Sequence, residues 1–121
     1  MKDKNILTID KILKYSNQIN QAIIDLELDY NKFINNYIAQ NSISMCLIAI
    51  GGLVNSLTDE FKSKYNQLQW RDIIGMRNRV AHDYFNIDLD IVWDIADKHN
   101  PILNKYLNKI LNELTDKESN Q

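Results

Sequence analysis

The sequence predicts an all-α protein, an up-and-down bundle of four to five helices. Apolar residues recur at three- and four-residue spacing along most of the 121-residue chain, and only three Gly and one Pro are present to make turns. No run alternates with the period of two of a half-buried strand, and no internal repeat or low-complexity tract occurs. At this length the chain is expected to form one domain over residues 1–115, followed by a polar tail at 116–121.

The elements follow in order. Ile6, Ile9, Ile12, Leu13, Ile19, Ala22, Ile23 and Leu26 define an amphipathic helix over residues 6–28, with Asn and Gln on its outer face. Asp25, Glu27 and Asp29 gather at its C-terminal end, where they oppose the helix dipole; they read as a solvated end or a contact for a basic partner. Residues 30–34 are expected to be a connecting turn whose Phe33 and Ile34 plug the core. Asn35 or Asn36 caps the next helix, which runs to about Leu57. Its centre, Met45-Cys46-Leu47-Ile48-Ala49-Ile50, is apolar on every side, so burial all round is expected. Either this is the central helix or a second protomer covers part of it. Gly51-Gly52 permits a neighbour to pack closely.

Residues 58–69 read as a short helical piece and a loop, anchored by Phe61, Tyr65 and Leu68. A helix then starts near Trp70 and ends near Asp83, Phe85-Asn86-Ile87 turns the chain, and Asp88 caps a helix through Ile91, Val92 and Ile95. Asn100-Pro101 reads as an N-cap followed by proline at the first helical position, which breaks or restarts the helix. Ile102, Leu103, Tyr106, Leu107, Ile110, Leu111 and Leu114 form the last stripe, and from Thr115 the polar tail is expected to fray.

A net charge of −2 argues against a broad phosphate-binding surface, so nucleic acid, if bound, is bound at a local cluster. The single Cys46 lies in an apolar run and cannot form a disulfide within the chain; it reads as a small buried hydrophobe in a reducing compartment. The N-terminus lacks a signal-type apolar core, and no run is expected to reach the roughly 18 apolar residues of a membrane span. The expectation is a soluble, cytoplasmic protein without membrane contact. His82 and His99 stand 17 residues apart with no metal-ligand spacing, and no glycine loop or nucleophile with a local base is present, so neither metal nor cofactor is expected.

What chemistry the sequence offers is concentrated in Trp70-Arg71-Asp72-Ile73-Ile74-Gly75-Met76-Arg77-Asn78-Arg79-Val80-Ala81-His82-Asp83-Tyr84. As a helix, this stretch places Arg71, Gly75, Asn78 and His82 on one side, with Ile73, Ile74, Val80, Ala81 and Tyr84 around the other. A glycine inside a helix costs about 1 kcal/mol relative to alanine. Gly75 therefore implies a close approach, by a substrate or by another helix. Asn78 and His82 are four apart, so the amide can hold the imidazole in one tautomer. Arg77 and His82 are about 140° apart around an ideal helix. They meet if the arginine wraps, if the helix ends near His82, or if a second copy of the helix faces the first; the last is the favoured reading. Arg79 and Asp83 read as a surface ion pair. The plain alternative is that His82 merely complements a helix C-terminus while the arginines are a solvated face.

Arg77-Asn78-Arg79-Val80-Ala81-His82-Asp83-Tyr84 resembles the Arg-x4-His-x-Tyr signature of HEPN-domain proteins, specifically the HepT-like toxins of bacterial and archaeal toxin–antitoxin pairs. The similarity continues in order through Ile48-Ala49-Ile50-Gly51, Leu57-Thr58-Asp59-Glu60-Phe61, Trp70 to Asn78, Val92-Trp93 and Pro101-Ile102-Leu103. One departure is visible: the family usually carries Glu after the Ile-Gly, where Gly52 stands here.

The resemblance implies a two-fold homodimer whose paired motifs line a cleft and cut RNA to a cyclic phosphate and a 5′-hydroxyl. It makes Arg77 and His82 catalytic, with Asn78 supporting them; Arg71 and Arg79 are possible contacts for RNA phosphate. It also implies a nucleotidyltransferase antitoxin partner that places AMP groups on Tyr84, and a larger complex with that partner. The residue itself equally suits a half-buried aromatic at a helix end. Trp70 and Trp93 read as core anchors whose indole N–H groups find partners, and His99 as a surface residue. The competing function is a non-catalytic HEPN interaction module that binds a nucleotidyltransferase, a nucleotide or nucleic acid without cutting.

Overall fold

The computed structural model describes residues 3–82, 86 and 88–119, and every regular element among them is helical. The expected all-α bundle is present. Among the described residues α-helices follow in the order α1 (Lys4–Asp25), α2 (Tyr30–Ile34), α3 (Tyr37–Asn55), α4 (Asp59–Lys64), α5 (Trp70–His82), α6 (Leu89–Asp94) and α7 (Asn100–Ser119). A single π turn, Ile95–His99, joins α6 to α7. α3 is the hub, lying between α1 and α5, while α7 packs on the other flank of α1.

Side-chain caps set most of the starts. Asp3 accepts from Asn5 N–H at 2.7 Å, Asp29 from Lys32 N–H at 2.8 Å and Asn36 from Ala39 N–H at 3.0 Å. Thr58 accepts from Phe61 N–H at 3.1 Å, and Asp88 caps α6. The Asn5 amide donates to Thr58 Oγ1 at 3.1 Å and its carbonyl oxygen accepts from Thr58 N–H at 3.2 Å, tying the start of α1 to that of α4. The core comprises Ile9, Ile12 and Ile19 of α1, Ile43, Leu47, Ile50 and Val54 of α3, and Leu107 and Ile110 of α7.

Several sequence expectations are corrected. Residues 30–34 are a short helix rather than a turn, because Asp29 caps it; Phe33 is fully buried and packs against Trp93 at 5.3 Å between ring centroids. α1 stops at Asp25, and Glu27 takes a left-handed φ of 50° to redirect the chain. α3 is not buried all round: Tyr37, Ile38 and Met45 are 71%, 64% and 60% exposed. By length and hydropathy α3 would suffice to cross a membrane, contrary to the reading of the sequence, yet Ala39, Ile43, Leu47 and Ile50 are the centre of the bundle. α7 extends past Thr115 to Ser119, with Thr115 Oγ1 donating to the Leu111 carbonyl at 2.8 Å. Asp83, Tyr84, Phe85 and Ile87, and with them the expected turn, the Arg79–Asp83 pair and the modification at Tyr84, lie outside the described residues.

The largest correction concerns Asn100. It is no N-cap: its φ of −62° and ψ of −42° are helical, and it is 2% exposed. Pro101 has no N–H to give to the fourth carbonyl back, and its ring collides with that carbonyl in a regular helix. The chain answers by widening instead of breaking, and Asn100 N–H donates to the Ile95 carbonyl five residues back. The Asn100 side chain is then free to face α1. Its carbonyl oxygen accepts from Ser16 Oγ at 2.7 Å, and its amide donates to the Ser16 carbonyl at 3.1 Å and Asn20 Oδ1 at 3.0 Å. Asn104 extends the set, donating to Ser16 Oγ at 3.0 Å and Asn17 Oδ1 at 2.8 Å. On the outer side of the turn, the Lys98 ammonium beside Asp94 holds that carboxyl below its ordinary value, with His99 Nε2 at 3.4 Å adding to the effect; both partners are exposed.

Two outcomes are expected. Asn100→Ala leaves Ser16 and Asn20 short of partners and lowers the unfolding free energy by about 1–3 kcal/mol in a urea titration. Burial pushes the Cys46 thiol up, so a thiol reagent labels native protein far more slowly than protein unfolded in urea.

Candidate active site

The segment from Tyr65 to α5 is anchored by Trp70. This residue is buried, its indole Nε1 donates to the Tyr65 carbonyl at 2.9 Å and the Lys62 carbonyl at 3.2 Å, and its ring packs on Phe61. α4 therefore fixes where α5 begins. Val80 is buried near the far end, and Ile73, Ile74 and Met76 pack against the core.

The two sides of α5 differ in character. One carries Asp72, Ile73 and Met76, which join Leu47, Ile50 and Leu103 in lining a cavity of about 390 Å³. The other carries Arg71, Gly75, Asn78 and His82, all exposed. This is the polar side that the helical spacing predicts. Among the described residues, no neighbouring element comes within 4 Å of a Cβ placed on Gly75, so none of the described helices supplies the close approach inferred there.

Arg77 lies between the two sides and is half-buried. Its stem rests on α3 at Gly51, its Nε is enclosed without a hydrogen-bond partner, and its Nη1 donates to Asn78 Oδ1 at 2.9 Å. The guanidinium thus wraps towards the polar side and is held by Asn78. The spacing pairs Asn78 with His82; in the structure its carbonyl oxygen serves the arginine instead. His82 is the last residue of α5, exposed, and among the described residues its imidazole has no hydrogen-bond partner. Arg79 is also exposed. Arg77, Asn78 and His82 therefore occupy successive places along the last turns of one helix, with Arg71 about two turns before Asn78 on the same side.

The role of Gly51 is what the sequence hides. Gly51-Gly52 announces close packing, but only contact geometry separates the two: a Cβ on Gly51 collides with Arg77, whereas one on Gly52 meets nothing within 4 Å among the described residues. Among the described residues, no group of three or more His, Cys, Asp or Glu side chains converges in a way that would hold a metal ion.

The sequence matches the "Ribonuclease HepT-like" family over residues 4–110, which includes α1 through most of α7. The chain belongs to the HepT-like ribonuclease family. Two similar proteins of Methanocaldococcus jannaschii are each named "Putative RNase". One is 32% identical over 106 residues, covering 88% of this chain and 90% of that protein; the other is 30% identical over 109 residues, covering 90% and 88%. A protein of Thermococcus cleftensis named "Probable ribonuclease HepT" is 24% identical over 84 residues, 69% of this chain and 76% of its own length. No solved structure matches the chain. Membership makes this chain a ribonuclease-family protein with RNA as the substrate class, and the motif helix α5 lies wholly within the matched region.

Trp70→Phe keeps the ring but removes the donor to Tyr65 and Lys62. The expected result is a loss of about 1 kcal/mol in unfolding free energy, measured by urea denaturation, because two carbonyls lose a shared partner while the apolar packing remains.

Proposed function

We propose that the protein is the ribonuclease toxin of a toxin–antitoxin pair, and that it cuts RNA at a cleft between two copies of α5 across a two-fold axis. The observation that carries this reading is the single-helix grouping of Arg77, Asn78 and an exposed His82, without a hydrogen-bond partner among the described residues, in a HepT-like chain. One imidazole cannot stand on both sides of an in-line displacement at phosphorus. An isologous contact supplies two. The exposed Ile38 and Met45 on α3, and the uncovered Gly75 on the His82 side of α5, support a second copy as the missing neighbour.

In this mechanism His82 of one chain takes the proton of the 2′-hydroxyl as its oxygen bonds to phosphorus. The partner subunit's His82, protonated beforehand, gives a proton to the 5′-oxygen as the P–O5′ bond breaks. Arg77 stabilises the charge that gathers on the non-bridging oxygens, and Asn78 holds the guanidinium in place. The products are a 2′,3′-cyclic phosphate and a 5′-hydroxyl, and no metal takes part. Arg71 and Arg79 extend the positive track for flanking phosphates, a local cluster on a chain whose net charge is −2.

The cognate antitoxin is a minimal nucleotidyltransferase, and both proteins work in the cytoplasm. AMP groups placed on Tyr84 would bring negative charge and bulk beside the arginine and histidine, blocking the RNA phosphate. The motif spacing, two residues from His82 to Tyr84, supports this control.

His82→Ala is expected to lower cleavage of an RNA oligonucleotide by about 10²–10⁴-fold without added metal, with helicity and melting unchanged and no growth inhibition on expression. Wild-type protein free of any mass adduct that leaves RNA intact would contradict the ribonuclease reading.

A further inference from the structure

Gly51 is buried in α3, and α5 lies directly on it. A Cβ at this position would stand 2.5 Å from Arg77 Cγ and closer still to Arg77 Cβ, with Arg77 Cα at 3.5 Å. Non-bonded carbons settle at about 3.5–4.0 Å, so even one added methyl must displace the arginine by roughly 1.5 Å. What it meets is the stem next to the α5 backbone, not a flexible tip that can swing aside. Among the described residues, Gly52 and Gly75 have no such neighbour.

The stem determines the head. Among the described residues Arg77 Nε is the one enclosed side-chain polar atom without a partner. No acceptor on α3 therefore orients the guanidinium; the filled gap above Gly51 and the bond from Nη1 to Asn78 do so. A buried unpaired donor is costly and persists where packing over-determines its position.

The geometry points to Gly51 as a positioning residue for Arg77: the absent side chain lets the arginine stem sink into α3 and fixes where the guanidinium meets the RNA phosphate. This rests on the reading of Arg77 as the phosphate-stabilising group. Displacement by about 1 Å at such a group can cost 10²-fold in rate.

The test uses the full chain as wild type, Gly51→Ala, Gly52→Ala and Arg77→Ala. It records kcat and KM on a fluorescent RNA oligonucleotide, thermal melting, and the 1H–15N resonance of Arg77 Nε. Gly51→Ala should shift the Nε resonance and lower kcat about a hundredfold, with much less change in KM and a cooperative melt. Gly52→Ala, whose methyl enters open space, should match wild type in both. Wild-type kcat in Gly51→Ala beside an inactive Arg77→Ala overturns the inference and leaves the proposed function standing. Full activity in Arg77→Ala instead defeats the assigned role of the arginine, and the inference falls with it. If Gly51→Ala does not fold, Gly51→Ala/Arg77→Gly decides. Recovery of cooperative melting ties the glycine to the arginine stem, and failure to recover assigns Gly51 to general packing and overturns the inference.

Discussion

The contact of α5 with α3 at Gly51 is the constraint on which the rest depends. α3 is strongly apolar and the hub of the bundle, and the helix carrying Arg77, Asn78 and His82 must lie close against it without surrendering its arginine to the core. A glycine at the crossing resolves the conflict. The first carbons of Arg77 are absorbed by α3, while its guanidinium wraps out to Asn78 on the polar side. Trp70 fixes the start of the same helix through two backbone carbonyls, and buried Val80 holds its last turns, so His82 is presented from a helix set at both ends.

A second constraint operates on the far flank. Pro101 interrupts helical hydrogen bonding where α6 meets α7, and the π turn turns that defect to use by directing Asn100 into α1. A buried amide–hydroxyl network of this kind is worth little net energy but is expensive to satisfy in any other register. It fixes how α7 sits on α1, and α1 in turn supports α3. The chain thus carries two polar devices in a largely apolar bundle, one holding the scaffold in register and one holding a guanidinium towards the exposed side of α5.

Much of this was legible in the residues themselves. Period-3.6 stripes located α1 and α7, an all-apolar centre located α3, and Asn36, one of two candidate caps, and Asp88 marked starts that the structure retains. The polar side of α5, with Arg71, Gly75, Asn78 and His82 together, follows from spacing alone. Other features depend on what lies opposite. The Asn-Pro pair signals a helix start by local preference, and only the Ser16 and Asn20 partners on α1 explain why Asn100 stays inside a continuous helix. Likewise, Asn78 has two neighbours within reach, Arg77 and His82, and periodicity cannot choose between them. Gly51 and Gly52 are the same residue type side by side, and only the position of Arg77 separates a required absence from an incidental one.

The claim that two copies of α5 build one catalytic cleft is tested most directly by mixing subunits. Wild-type and His82→Ala chains are unfolded together, refolded at a series of ratios, and assayed for cleavage of an RNA oligonucleotide. If both imidazoles serve one displacement, mixed dimers are inactive and the rate falls with the square of the wild-type fraction. A rate that falls in simple proportion to that fraction would mean that each chain cuts by itself, and the shared cleft would have to be abandoned.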